Sequence, residues 1–131
     1  MYIRFVTSEK LSNMSARRGI FGPAYFLLRR PELIPGFHVQ IAEQMEWFEV
    51  NLMVPERFNR SKSKGAYRND SKGLAWFRDN RNEAVLRGRQ LADILLLCDV
   101  VVETIRTDRI GYIIYEDDFQ AIAEPFATTP V

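Results

Sequence analysis

Apolar and polar residues alternate over the first six positions, with Ile3 and Phe5 on one side and Tyr2, Arg4 and Val6 on the other. Period two predicts a short, half-buried strand. Residues 7–19 are polar and predict a loop or turn. Gly22-Pro23 predicts the opening of a short helix, since proline suits the first helical position, where no amide donor is needed. Ala24 to Leu28 supply its apolar content, and Pro31 stops it.

A second helix is predicted from Phe37 to Asn51, because Ile41, Met45, Phe48 and Leu52 recur at helical spacing. Leu74 to Phe77 predict a strand carrying two aromatics. Asn80, with Glu83 three residues on, resembles a capping box and predicts the start of a third helix that runs to Cys98. Ala84, Gly88, Leu91, Leu95 and Cys98 share one face of it. Val100 to Arg106 is β-branched and predicts a strand. Gly111–Glu116 and Phe119–Glu124 flank Asp117-Asp118 and predict a hairpin.

These elements predict one α+β domain over residues 1–131, with a mostly antiparallel sheet and three helices in the order β-α-α-β-α-β-β-β. Ile41, Met45, Phe48, Leu91 and Leu95 are expected to pack on Ile3, Phe5 and the inward face of the hairpin. If Tyr115 faces Gln120, then Ile113, Tyr115, Gln120, Ile122 and Glu124 share one hairpin face. Tyr112, Ile114, Phe119, Ala121 and Ala123 form the other, which looks like core. The row Tyr115, Gln120 and Glu124 reads as a candidate groove or as the plain solvent side of a sheet.

Charge changes this picture in one place. The chain nets +1, but residues 57–89 net +7 and residues 90–131 net −6. The excess of basic groups centres on residues 55–72, a long aperiodic stretch expected to be a mobile loop. Arg57, Arg60, Lys62, Lys64, Arg68 and Lys72 are candidate anion-binding residues, interleaved with Phe58 and Tyr67 and followed by Trp76-Phe77. Basic groups neutralise phosphates and aromatics stack on unpaired bases. The same charges also fit a solvated loop that neutralises the acidic C-terminal third.

Other chemistry has little to work with. His38 is the sole histidine and Cys98 the sole cysteine, so a His/Cys metal cluster and an intrachain disulfide are both excluded. His38 reads as a capping or surface group and Cys98 as a core thiol. Glu116, Asp117 and Asp118 read as a solvated turn, because adjacent strand residues point to opposite faces. Neither a phosphate-binding G-x-x-x-x-G-K-[ST] nor a G-x-G-x-x-G motif occurs. No catalytic residue, metal or cofactor is expected. The longest apolar run, Ile94 to Val102, is broken by Asp99 and falls short of the roughly 20 residues that span a bilayer. With no basic-then-apolar leader at the start, a cytoplasmic protein without membrane contact is expected.

The stretch GYIIYEDDFQAIAEP, residues 111–125, resembles the end of a family of small uncharacterised bacterial proteins with a G-x-[IV]-x-Y-E-D-x-x-Q-x-[IV]-A hairpin. Trp76-Phe77 before the third helix and the W-F-x-x-N-L segment Trp47 to Leu52 extend the likeness over residues 40–125. It implies a bacterial domain of this type and no particular activity. Ala121 departs from the bulkier aliphatic expected there.

Two functional readings stand side by side. One is a non-catalytic interaction or regulatory module that binds a protein partner or polyanion through the basic loop and the exposed sheet face. The other is a small enzyme or ligand binder for an anionic or nucleotide-like molecule, held by the loop cations and lined by Tyr115, Gln120 and Glu124. A concave site favours the second and a flat basic patch the first.

Overall fold

A computed structural model describes residues 1–11, 16–52 and 73–131. The basic stretch 55–72 lies outside the described residues, and with it all six candidate anion-binding side chains. The α+β class holds. Strands β1 (Tyr2–Lys10) and β2 (Arg17–Gly19) are followed by helices α1 (Phe21–Leu28) and α2 (His38–Asn51). Then come β3 (Leu74–Arg78), α3 (Glu83–Leu97), β4 (Glu103–Thr107), β5 (Tyr112–Glu116) and β6 (Gln120–Glu124). Every described strand pair is antiparallel. The short strand β2 was not expected; it forms inside the polar stretch 7–19 because β1 runs on to Lys10 and pairs with it.

Two helix starts differ from expectation. α1 begins at Phe21, so Pro23 occupies its third position. Proline is tolerated throughout the first turn, where N–H groups have no intrahelical partner. α3 is capped by Asn82, whose Oδ1 accepts from Val85 N at 3.1 Å. Asn80 belongs instead to the turn of residues 79–81, which the positive φ of Arg81 (60°) helps to close.

The sheet runs β2-β1-β3-β6-β5, with β4 also on β1. β4 pairs with Tyr2 to Val6 along one edge of β1. β3 pairs with Tyr2 and Ile3, and β2 with Val6 and Lys10. A strand has only two edges, so β3 and β2 share the second one. Between them the edge beside Arg4 and Phe5 pairs with neither strand, and the sheet opens there.

Both faces of the central strands β1, β3 and β6 are covered. On one, Ile3, Phe5 and Phe77 pack against Ala24, Leu27, Ile41, Met45, Phe48, Val85, Leu91 and Leu95 of the helices. This is the core that the helical spacing predicts. On the other, Leu74, Trp76, Ala121 and Ala123 pack with Ala16 and Ile110. Ala121 and Ala123 sit opposite Trp76 and Leu74 in the ladder, small against large. They therefore belong to this second core and not, as expected, to the helix side; of that predicted face, Phe119 does reach the helices, against Trp47. β1 is buried on both faces from Ile3 to Thr7, where only half-burial was expected.

The hairpin register differs as well. Tyr115 pairs with Ile122 and Glu116 with Ala121, and a bulge lies between Ile113 and Tyr115. The turn is longer than the expected pairing assumed. Asp117 closes it by accepting from Phe119 N at 2.8 Å and Gln120 N at 3.0 Å, while Asp117 N donates to Gln120 O.

Candidate functional site

Where β1 and β3 part, the structure holds a cavity of about 290 Å³. Its walls come from four places. β1 gives Arg4 and Phe5, and β3 gives Leu74 to Phe77. Arg18 and Gly19 of β2 lead into the start of α1 at Ile20, Phe21 and Gly22. Leu11, Leu52 and Gln120 complete the lining. Most of these groups are apolar, which is usual for a ligand pocket.

The polar groups are unusual. Among the described residues, three buried side-chain nitrogens have no hydrogen-bond partner: Arg4 Nη1, Arg18 Nε and Trp76 Nε1. All three residues line this cavity. All three atoms are donors only, so what they lack is an acceptor.

Arg4 is the centre of the arrangement. It is 5% exposed, on a strand flanked by Ile3 and Phe5. Its Nη2 donates to Arg17 O at 2.6 Å, and its guanidinium lies 5.5 Å from the centre of the Trp76 ring. It has no carboxylate partner among the described residues, and burial, followed by the nearby charge of Arg17, pushes its pKa down to about 10. A guanidinium stays charged under all ordinary conditions. Arg4 is therefore a buried cation whose neutralising charge the described residues do not supply.

Arg18 lies across the start of α1. A Cβ on Gly22 would sit 3.0 Å from Arg18 Cδ and 3.2 Å from its Nη1, so glycine makes room for the side chain. Its Nε is 3.6 Å from Glu9 Oε1, within ion-pair range but beyond hydrogen-bond reach. The helix start beneath it is itself positive. Ile20, the residue at the cap position, offers no side-chain acceptor to the first amides of α1. Arg4, Arg18 and Trp76 thus bring donors that lack a hydrogen-bond acceptor to the lining of one cavity.

The other residues singled out in the sequence fall as follows. Tyr115, Gln120 and Glu124 do share one side of the hairpin, and it is the Phe77 side of the sheet. Gln120 is buried and lines the cavity; Tyr115 and Glu124 are not among its lining residues. The Tyr115 hydroxyl donates to Asp117 Oδ2 at 2.9 Å, and this bond, with burial second, holds its pKa above the ordinary value. Trp76 and Phe77 are 1% and 8% exposed, which removes them as stacking platforms on the surface. His38 is exposed on the first turn of α2. Cys98 ends α3, half-buried against the helix-side core; burial, then Asp99, raises its pKa.

Arg4 and Arg18 were missed in the sequence. The available signal was a single arginine in an otherwise apolar strand, Tyr2 to Val6. No helix among the described residues is long and apolar enough to cross a membrane. No family model, curated protein or solved structure matches the chain, so any functional reading rests on its own residues.

Proposed function

We propose that this chain is a non-catalytic binding module that takes up a small anionic molecule in the cleft between β1 and β3. One observation supports the reading above the others: three residues that line a single cavity each carry a buried donor with no hydrogen-bond partner, one of them on a buried cation. Leaving a buried donor unmet costs about 1–3 kcal/mol, and more for a charged one. A fold that keeps three of them around one space is arranged for an acceptor that comes from outside. The groups are a guanidinium, a second guanidinium and an indole N–H. They hold negative charge; they do not shuttle protons or attack carbon, so the chemistry offered is binding.

Thermal melts with millimolar benzoate, phenyl phosphate, phenyl sulfate and adenosine monophosphate test this. A ligand that binds only the native state raises its stability by an amount that grows with concentration. At least one of the four anions should raise the melting temperature of the native protein in a saturating manner, and should have no effect on Arg4→Met. If none of them does, the reading is wrong.

A further inference from the structure

Resting on that reading, we infer that the ligand is a monoanionic carboxylate carried on a single apolar ring, rather than a nucleotide or other phosphate. Three features lead there.

The first is charge. Arg4 has no carboxylate partner among the described residues, whereas Arg18 already has Glu9 at 3.6 Å. The site therefore needs about one negative charge. A phosphate dianion would bring a second, uncompensated charge into an apolar enclosure, where unpaired charge is expensive.

The second is the number of the donors. Arg4 Nη2 is already committed to the Arg17 carbonyl, so one edge of the guanidinium is left for the ligand. Arg4 Nη1, Trp76 Nε1 and Arg18 Nε are three donors, a number that the lone pairs of two carboxylate oxygens can meet.

The third is the body of the site. Phe5, Phe21 and Phe77 contribute rings to the wall, and Ile20, Leu52 and Leu74 contribute aliphatic groups. Aromatic walls favour an aromatic guest in an edge-to-face or offset arrangement. A cavity of about 150 Å³ lined by similar groups holds benzene. The 290 Å³ found here accommodates one ring with a short acidic arm. A ribose would set its hydroxyls against phenylalanine and leucine.

Isothermal titration calorimetry on the full chain, with five probes, tests the inference. These are 3-phenylpropionate, its neutral amide, phenyl phosphate, adenosine monophosphate and octanoate. 3-Phenylpropionate should bind saturably, and the amide at least about ten-fold more weakly, the factor that one charge-assisted hydrogen bond carries. Arg4→Met should abolish the preference for acid over amide, and Arg4→Lys should retain part of it. Equal binding of acid and amide to the native protein overturns the inference without recourse to any variant. Tighter, Arg4-dependent binding of phenyl phosphate or adenosine monophosphate overturns the carboxylate and leaves the binding module standing. Octanoate binding as tightly as 3-phenylpropionate overturns the ring. Saturable binding by none of the five overturns both the inference and the reading beneath it.

Discussion

Strand β1 serves two regions built on opposite terms. On its helix side, Ile3 and Phe5 enter a core whose fully enclosed members are all apolar, with Ile41, Leu91 and Leu95 at 0% exposure. Along its β3 edge, one residue away from each, Arg4 enters a space lined by three residues whose buried donors lack a hydrogen-bond partner. The first region is what burial of apolar surface produces when every group is satisfied. The second keeps a charge out of water with no carboxylate partner among the described residues. Stability accounts for the first arrangement and not for the second, and that difference is the reason to look for a ligand in the cleft. The two regions also differ in backbone. Most of the helix-side core is carried by α1, α2 and α3, whereas the cleft, which shares Phe5, Ile20 and Phe77 with it, lies where strand pairing lapses between Ile3 and Val6.

The contrast makes its largest prediction in the helix-side core. Leu95→Ala removes a side chain that is wholly enclosed between α3, α2 and the sheet. It should cost about 2–5 kcal/mol by transfer loss and cavity formation together. Denaturant melts would register this as a lower midpoint with an unchanged slope. Ligand affinity should stay the same, because Leu95 does not line the cleft. A loss below about 0.5 kcal/mol would show that this face of α3 is not under the packing constraint described.

Arg4→Met should act in the opposite direction. The substitution removes a buried charge and replaces it with a side chain of similar length. Exchanging buried charges for apolar groups is often neutral or stabilising by about 1–4 kcal/mol. Two losses offset part of the gain. Arg17 O loses a donor at 2.6 Å, and Trp76 loses the cation 5.5 Å from its ring centre. Each is worth about 1 kcal/mol. The net expectation is a gain of about 1 kcal/mol, read as a rise of roughly 3–5 °C in the melting temperature. A fall of that size would mean that Arg4 is a structural group and would dissolve the contrast between the two regions. A variant that is more stable and has lost its ligand is the pattern expected of a functional residue.

Much of the helix-side core was legible before any coordinates, and the cleft was not. The spacing of Ile41, Met45 and Phe48, and of Ala84, Leu91 and Leu95, is a local property of the chain, and all six are buried together. Helix periodicity reports which side is greasy without reference to anything distant. Strand pairing carries no such local record. The bulge at Ile113–Tyr115 shifts the hairpin, and its alternation alone does not reveal it. The second core depends on Ala121 and Ala123 meeting Trp76 and Leu74 from over forty positions away. Arg4 reads as a solvent-facing residue until that core closes over it. The cavity needs three separate segments, around residues 4, 18 and 76, to converge, and no short motif encodes that. Tyr115, Gln120 and Glu124 share a face, although the register that places them there differs from the one expected.

The smallest effect sits at the joint between the two regions. Asn82 caps α3, which carries the helix-side core, by accepting from Val85 N at 3.1 Å. Its Nδ2 also donates to Arg78 O at 2.8 Å, at the end of β3, the strand that borders the cleft. Replacing a cap asparagine by alanine costs about 0.5–2 kcal/mol, since an amide of the first turn is left unmet. Asn82→Ala should therefore lower stability by about 1 kcal/mol. Asn80, the residue whose spacing suggested a capping box, accepts no backbone amide of α3 among the bonds described. Its exposed contact with Asn82 carries little, so Asn80→Ala should stay within about 0.5 kcal/mol. The ratio of the two losses in parallel melts identifies the cap, and equal losses would show that the turn works as a unit. Ligand affinity measured on Asn82→Ala then asks whether the regions are coupled. An unchanged value means that β3 holds the cleft in place without help from the α3 cap. A weaker value means that the cap positions β3, and that the two regions differ in chemistry while sharing one mechanical support.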